Sequence, residues 1–505
     1  MVLLLLACST DYDSLETGDS AELLDVVEDT AEDPWAEEPY EGDLWIDGFE
    51  HEDPRSWFDA DGWEHTAIPT GTSSAFSAWS QLRGEGSGDY VGLGMNAVGD
   101  VNGNGKTDLV IGSQANSGDG TAYLVTRLQP GVKNLGSAKG RFHGSNGQNA
   151  GYSTGVGGDL DGDGLDDWLI GSHKQATNGV KAGAVYMVTG YERGQHTLPS
   201  GASTTILGKN AYSNFGQQVD IVGDLNNDGY NDVMVGAPYD DSMGTNRGVT
   251  YLFYGPFSGD LDSSDRDARI GGRFEEDLLG KNFRDVGDVD GDGTTDVLFG
   301  VRDHSAGGSN AGAVFLMTDV TSSSFTLANA EARIKGTTVD ASVGNSIAPA
   351  GDFNGDGYDD LLVGALGQGD RGAAYLVLGP VSGESTLEGA YSYKFTGQTD
   401  GDQFGSGMLA YDVDGSGDLD IVIGANRQGS GDRGAVYVFL DPTTGTTPAY
   451  AADSKIVGMA GGDYFGGGLQ VLEDVDASGT DVLAVGSTRR GSADKGAVFL
   501  FSLSD

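Results

Sequence analysis

Six stretches of nine residues follow the pattern D-x-[DN]-x-[DNS]-G-x-x-D, and a seventh follows it in damaged form. They supply Asp100, Asn102, Asn104 and Asp108; Asp159, Asp161, Asp163 and Asp167; Asp224, Asn226, Asp228 and Asp232; Asp288, Asp290, Asp292 and Asp296; Asp352, Asn354, Asp356 and Asp360; and Asp412, Asp414, Ser416 and Asp420. Oxygen donors at positions 1, 3, 5 and 9, a glycine at 6 for the sharp turn and a free carbonyl at 7 are what a hard divalent cation requires. Calcium is the expected ion, at about five to six sites. An EF-hand would need a glutamate at position 12 between helices, but position 12 of the second loop is Ile170, inside an apolar run.

Acidic turns without metal are the competing reading, since Asp and Asn form turns well. That reading is weakest for the second and fourth loops, where four crowded carboxylates repel one another unless a cation intervenes. It is strongest for the first, which has two carboxylates and Lys106 at position 7. The seventh, starting at Asp474, is one residue short and has Val482 where the ninth ligand belongs, so it is expected to be empty or weak.

The first aspartates stand about 60 to 65 residues apart, the period of an array of supersecondary units. Alignment on them exposes four strand-like pieces per copy. An apolar-Gly pair precedes the loop, as in Phe215-Gly216 and Phe465-Gly466; a β-rich run ending in glycine follows it, as in Val233-Met234-Val235-Gly236. Next comes Gly with small and aromatic residues, as in Gly434-Ala435-Val436-Tyr437, then an apolar-x-Gly element such as Phe395-Thr396-Gly397. Short apolar runs bounded by turn residues read as buried strands, and four of them per repeat make a propeller blade.

The order Phe-Gly, acidic loop, then Val235-Gly236-Ala237-Pro238 resembles the FG-GAP repeat of integrin α-subunit propellers and of many bacterial surface proteins. The resemblance runs from about residue 76 to 505. It implies an all-β, seven-bladed propeller of four-stranded blades, with calcium in the loops between first and second strands. The array starts on Leu82-Arg83-Gly84 and ends after Phe499-Leu500-Phe501, so a strand near Ala78 to Gly84 is expected to complete the seventh blade and close the ring.

Ahead of the array, Leu5-Leu6-Ala7-Cys8 resembles a bacterial lipobox, which makes Cys8 the expected acylation site at the end of a truncated signal spanning residues 1–8. Residues 9–75 are read as an acidic, disordered linker with an aromatic segment at 44–63. Residues 76–505 are the propeller. A cell-envelope, outer-membrane or surface lipoprotein is the expected location, with secretion as the alternative and the lipid as the membrane contact.

Composition narrows function. A net charge of −49 opposes nucleic-acid binding, which needs clustered Lys and Arg. The six histidines follow no repeated register and no zinc spacing, and no G-x-S-x-G elbow is present, so no catalytic residue is assigned. Strand polarity sends the loops between strands two and three to the face opposite the acidic loops. About ten of the 28 Lys and Arg residues fall there. Lys181, Arg247, Arg371, Arg433 and Lys495 precede the third-strand glycine copy after copy, as structural salt bridges to loop aspartates would. Arg302, His304, Arg427, Arg489 and Arg490 are less periodic and are the candidates for ligand contact. The reading is a monomeric, calcium-stabilised adhesion propeller that binds a protein or glycan at a surface. A lectin is the alternative, and a polysaccharide-acting enzyme a more distant one.

Overall fold

The computed structural model describes residues 71–114, 118–318, 320, 323–475, 479–491 and 494–503. Cys8, the linker up to residue 70 and its aromatic segment lie outside the described residues. Seven sheets follow one another along the chain as the blades of a β-propeller.

The fifth blade illustrates the pattern. Its inner strand is Val343–Gly351, followed by Asp360–Ala365, Ala373–Val377 and Tyr393–Thr396, each antiparallel to the one before. The second and third strands are buried along their whole length, because each blade is packed between two others. Alternation then divides the side chains between neighbours. In the sixth blade's third strand, Ala435–Phe439, Tyr437 and Phe439 join the cluster shared with the fifth blade, whereas Val436 and Val438 join the one shared with the seventh. The core is thus a ring of inter-blade layers rather than one centre.

The glycine that ends each second-strand run marks a close backbone approach. A Cβ on Gly112 would fall on the carbonyl oxygen of Gly151 in the next blade, and one on Gly486 on that of Gly92. Hence the apolar-Gly pair of one blade and the second-strand glycine of the blade before it form one joint. A parallel bridge from each third-strand glycine, such as Gly434 to Phe465, reinforces it.

Beyond four antiparallel strands, every sheet carries a short parallel fifth. It comes from the next blade along: Gly194–Thr197, which precedes the second blade's fourth strand, pairs with Gly140–His143 of the first. The chain start closes the ring in two places. Ser80–Arg83 pairs antiparallel with Ala497–Ser502 as the seventh blade's fourth strand, and Gly71–Ser74 pairs parallel with Ser454–Val457 as the sixth blade's fifth. Residues 71–75, assigned above to the linker, are therefore part of the propeller. The strand at 80–83 is in turn covered by Gly131–Asn134, which pairs with it in parallel.

Candidate metal centre

Each acidic loop leaves an inner strand and enters a second strand, so all lie at one end of the ring. Local hydrogen bonding fixes them in a shared conformation. In the fifth loop Asp352 accepts from the amides of Asp356 (2.9 Å) and Gly357 (2.8 Å), while Asp356 accepts from Tyr358 (3.1 Å). The third, fourth and sixth loops repeat the bonds to Asp224, Asp288 and Asp412. Gly229 at position 6 of the third loop has φ +95°, a conformation that side chains other than glycine adopt only under strain.

The ninth position behaves differently from the rest. Asp108, Asp167, Asp232, Asp296, Asp360 and Asp420 are all buried, at the start of the second strand. One oxygen of each accepts the amide of position 2, as from Val289 to Asp296 (2.8 Å) and from Val413 to Asp420 (2.9 Å). The other is bound by a downstream amide in four of them, for example Gly190 to Asp167 (2.8 Å) and Gly379 to Asp360 (2.7 Å). In Asp108 and Asp296 the Oδ1 atom is buried without a protein partner. Burial pushes these carboxyls up, to about 7 in Asp108, Asp167, Asp232 and Asp296 and about 6 in Asp360; neighbouring loop carboxylates add to the rise. Asp420 is raised for the same reason.

Three loops bring carboxylates from positions 1, 3 and 9 together, with one oxygen of each within 4.8 Å of the others: Asp159, Asp161 and Asp167; Asp288, Asp290 and Asp296; Asp412, Asp414 and Asp420. Asp163 and Asp292 are outside these trios and accept the position-7 amides instead. Where position 3 is asparagine its amide reaches a carboxylate of the same loop: Asn226 to Asp228 (3.0 Å), Asn354 to Asp356 (3.0 Å) and Asn102 to Asp108 (2.7 Å). In the first loop Asn104 accepts the Lys106 amide (2.9 Å). Ser416 accepts the amide of Asp418 (3.3 Å) in the sixth. In the seventh loop Asp481 stands in for the ninth aspartate one residue early, and protein donors occupy both its oxygens: the Asp474 amide (2.9 Å) and the Tyr411 hydroxyl (2.6 Å).

The residue types fit a cation: crowded carboxylates, a buried ninth group, and an orphaned oxygen at Asp108 and Asp296. One contributor was overlooked in the sequence. Position 8 of two loops is also acidic, and it reaches back to the preceding blade: Asp166 accepts the Asp100 amide (2.8 Å) and Asp359 the Asp288 amide (2.7 Å). The doublets Asp166-Asp167 and Asp359-Asp360 were the available signal.

On the opposite face the candidate contacts separate. Arg302 is exposed and bonded to Asp303 (3.2 Å) and Asn345 (3.1 Å). His304 is fully buried, with Nδ1 2.9 Å from Asp277 and its ring packed between Phe274 and Phe315, so it is a core residue and not a surface contact. Arg490 approaches Asp463 at 3.7 Å. Arg427 and Arg489 are exposed. Of the five periodic cations, Arg371 pairs with Asp400 (3.0 Å) and Lys495 donates to the Glu85 carbonyl (3.0 Å). Among the described residues the expected salt bridge does not form at Lys181, Arg247 or Arg433.

Comparison with known proteins agrees with this architecture. The FG-GAP repeat matches residues 96–125, 215–253 and 343–377. The chain is similar to integrin alpha-5 of Xenopus laevis (32% identity over 147 residues, 28% of this chain and 14% of that protein). It is also similar to integrin alpha-PS2 of Drosophila melanogaster (34% over 179 residues; 34% and 12%) and to human integrin alpha-IIb (36% over 167 residues; 31% and 16%). These matches span less than a fifth of the relatives' own length. No helix among the described residues is long and apolar enough to cross a membrane.

Proposed function

Starting from the chain as an integrin α-like, seven-bladed FG-GAP propeller, we propose that it is a calcium-stabilised, non-catalytic adhesion module held at a cell surface. Asp159, Asp161, Asp163 and Asp167, with Asp288, Asp290, Asp292 and Asp296, would hold calcium most firmly, because ligand charge raises affinity. The loops at Asp224, Asp352 and Asp412 come next, and the loop at Asp100 last. Bound calcium would neutralise the crowded carboxylates and rigidify one end of every blade. That assigns recognition of a surface protein to the other end, where the variable loops between strands two and three converge.

The observation that carries this reading is the convergence of three carboxylates within 4.8 Å in blades whose loops share one sequence pattern. Titration calorimetry on the intact chain tests it: several calcium-binding events and a melting temperature that rises with calcium are expected. No calcium uptake at millimolar concentration would overturn it. A lectin reading is favoured by one feature, a cleft of about 700 Å³ between the second and third blades in which Tyr212 and Tyr239 lie open beside Asn210, Asn246 and Asp241. Aromatic faces beside amide and carboxylate groups suit a sugar ring, and a glycan array with and without chelator separates the two. Anchorage through an acylated Cys8 belongs to the same proposal and is tested by mass spectrometry of the N-terminal peptide.

A further inference from the structure

In a chain of charge −49, two exposed arginines carry no ion pair among the described residues and share one tyrosine. Arg427, from the sixth blade's loop between strands two and three, has its guanidinium carbon 5.8 Å from the Tyr464 ring centre. Arg489, from the matching loop of the seventh blade, is 4.9 Å from the same ring and 5.9 Å from Tyr90 at the entrance to the first blade. The result is a staircase, Arg427, Tyr464, Arg489, Tyr90, crossing two blade junctions on the face opposite the acidic loops. The tyrosine is itself fixed, its hydroxyl donating to Asp432 (3.0 Å). Nearby Asp463 is committed to the Ala460 amide (2.8 Å) and to Arg490, and so leaves the pair unneutralised. At the fourth blade, by contrast, Arg302 and Lys281 both meet Asp303.

We infer that this staircase is a docking point for a carboxylate side chain of a partner protein. Two planar guanidiniums held against a common ring present fixed donor forks, which match carboxylate geometry and lose little freedom on binding. Cation–π contact with the rings holds them in place without consuming their hydrogen-bond donors. The whole-molecule charge favours this ligand over a polyanionic glycan. A long polyanion would bring many charges against a negative body, whereas a single carboxylate feels that field only within roughly 8 Å at physiological salt.

The inference rests on the proposed reading only in taking this face as the binding face. The test uses the full chain, a biotinylated acidic peptide of alternating Glu and Gly, its Gln counterpart and heparin, compared by interferometry at physiological salt. The Glu peptide is expected to bind and the Gln peptide not. Arg427→Ala/Arg489→Ala should weaken binding by roughly tenfold or more while leaving the melting temperature unchanged, since both side chains are exposed. The double lysine variant should recover part of the affinity, because charge remains but the fork is lost. Equal binding by the alanine variant, heparin binding without peptide binding, or no peptide binding would each overturn the inference. Calcium uptake without peptide binding would overturn this inference and leave the calcium reading standing, whereas peptide binding without calcium uptake would do the reverse.

Discussion

Asp296 concentrates the electrostatic problem of the acidic end. Its carboxyl is buried, one oxygen has no protein partner, and without a cation its pKa rises to about 7. Asp108, Asp167 and Asp232 share the shift. A carboxyl whose folded pKa exceeds its unfolded value binds more protons in the native state between the two. Stability of the metal-free protein therefore falls as pH rises from about 4 to 7, by up to ~1.4 kcal/mol per pH unit for each such group. Calcium removes that slope, since it binds only the ionised form and the unfolded carboxyls hold almost no proton above about pH 5. Melting curves between pH 5 and 8 should thus slope downward in chelator and stay nearly level in saturating calcium, and parallel slopes would contradict the assignment. By the same logic Asp296→Asn should leave the metal-free protein equal or more stable while removing about tenfold or more of the affinity at that loop, read by calorimetry. The crowding of the carboxylates was legible in the sequence, because alternate acids around a glycine must share one tight turn. The burial of His304 was not: its partner Asp277 lies 27 residues earlier in another loop, and only the fold brings the two together.

Strands one to four of each blade were equally legible, since each carries apolar residues beside a marker glycine. The fifth strand was hidden for a physical reason. Segments such as Gly194–Thr197, of sequence GQHT, are short and mostly exposed, so they carry no apolar pattern, and their partner belongs to a different blade. What does carry pattern is the joint between blades. Gly112 is buried against the backbone of Gly151, which cannot yield as a side chain would. Gly112→Ala should therefore cost about 1–3 kcal/mol through overpacking and lower the melting temperature both with and without calcium. An Asp166→Asn substitution at the same junction removes a charge-assisted bond to the Asp100 amide and should cost less, about 1 kcal/mol. If the glycine variant melted like the parent, the close approach would not be limiting.

Closure of the ring is the property that belongs to the whole molecule. Ser80–Arg83 supplies the seventh blade's fourth strand, and Leu82, 1% exposed, sits in the layer between the seventh and first blades with Val91, Tyr123 and Val498. Gly71–Ser74 edges the sixth blade. Removing residues 71–83 would strip both, leave a third strand with an unpaired edge, and open the seventh-to-first joint where Gly486 meets Gly92. Loss of Leu82 alone is worth about 2–5 kcal/mol, so the truncated chain should melt far lower and aggregate. A chain beginning at residue 76 keeps Ser80–Arg83 and loses only the outer edge of the sixth blade, so its melting temperature should fall between the two. The contact of Arg489 with Tyr90 crosses this same joint, hence peptide binding should fall with the longer deletion but persist in the shorter one. A chain starting beyond residue 83 that melted unchanged would mean that the ring does not depend on its N-terminal strands.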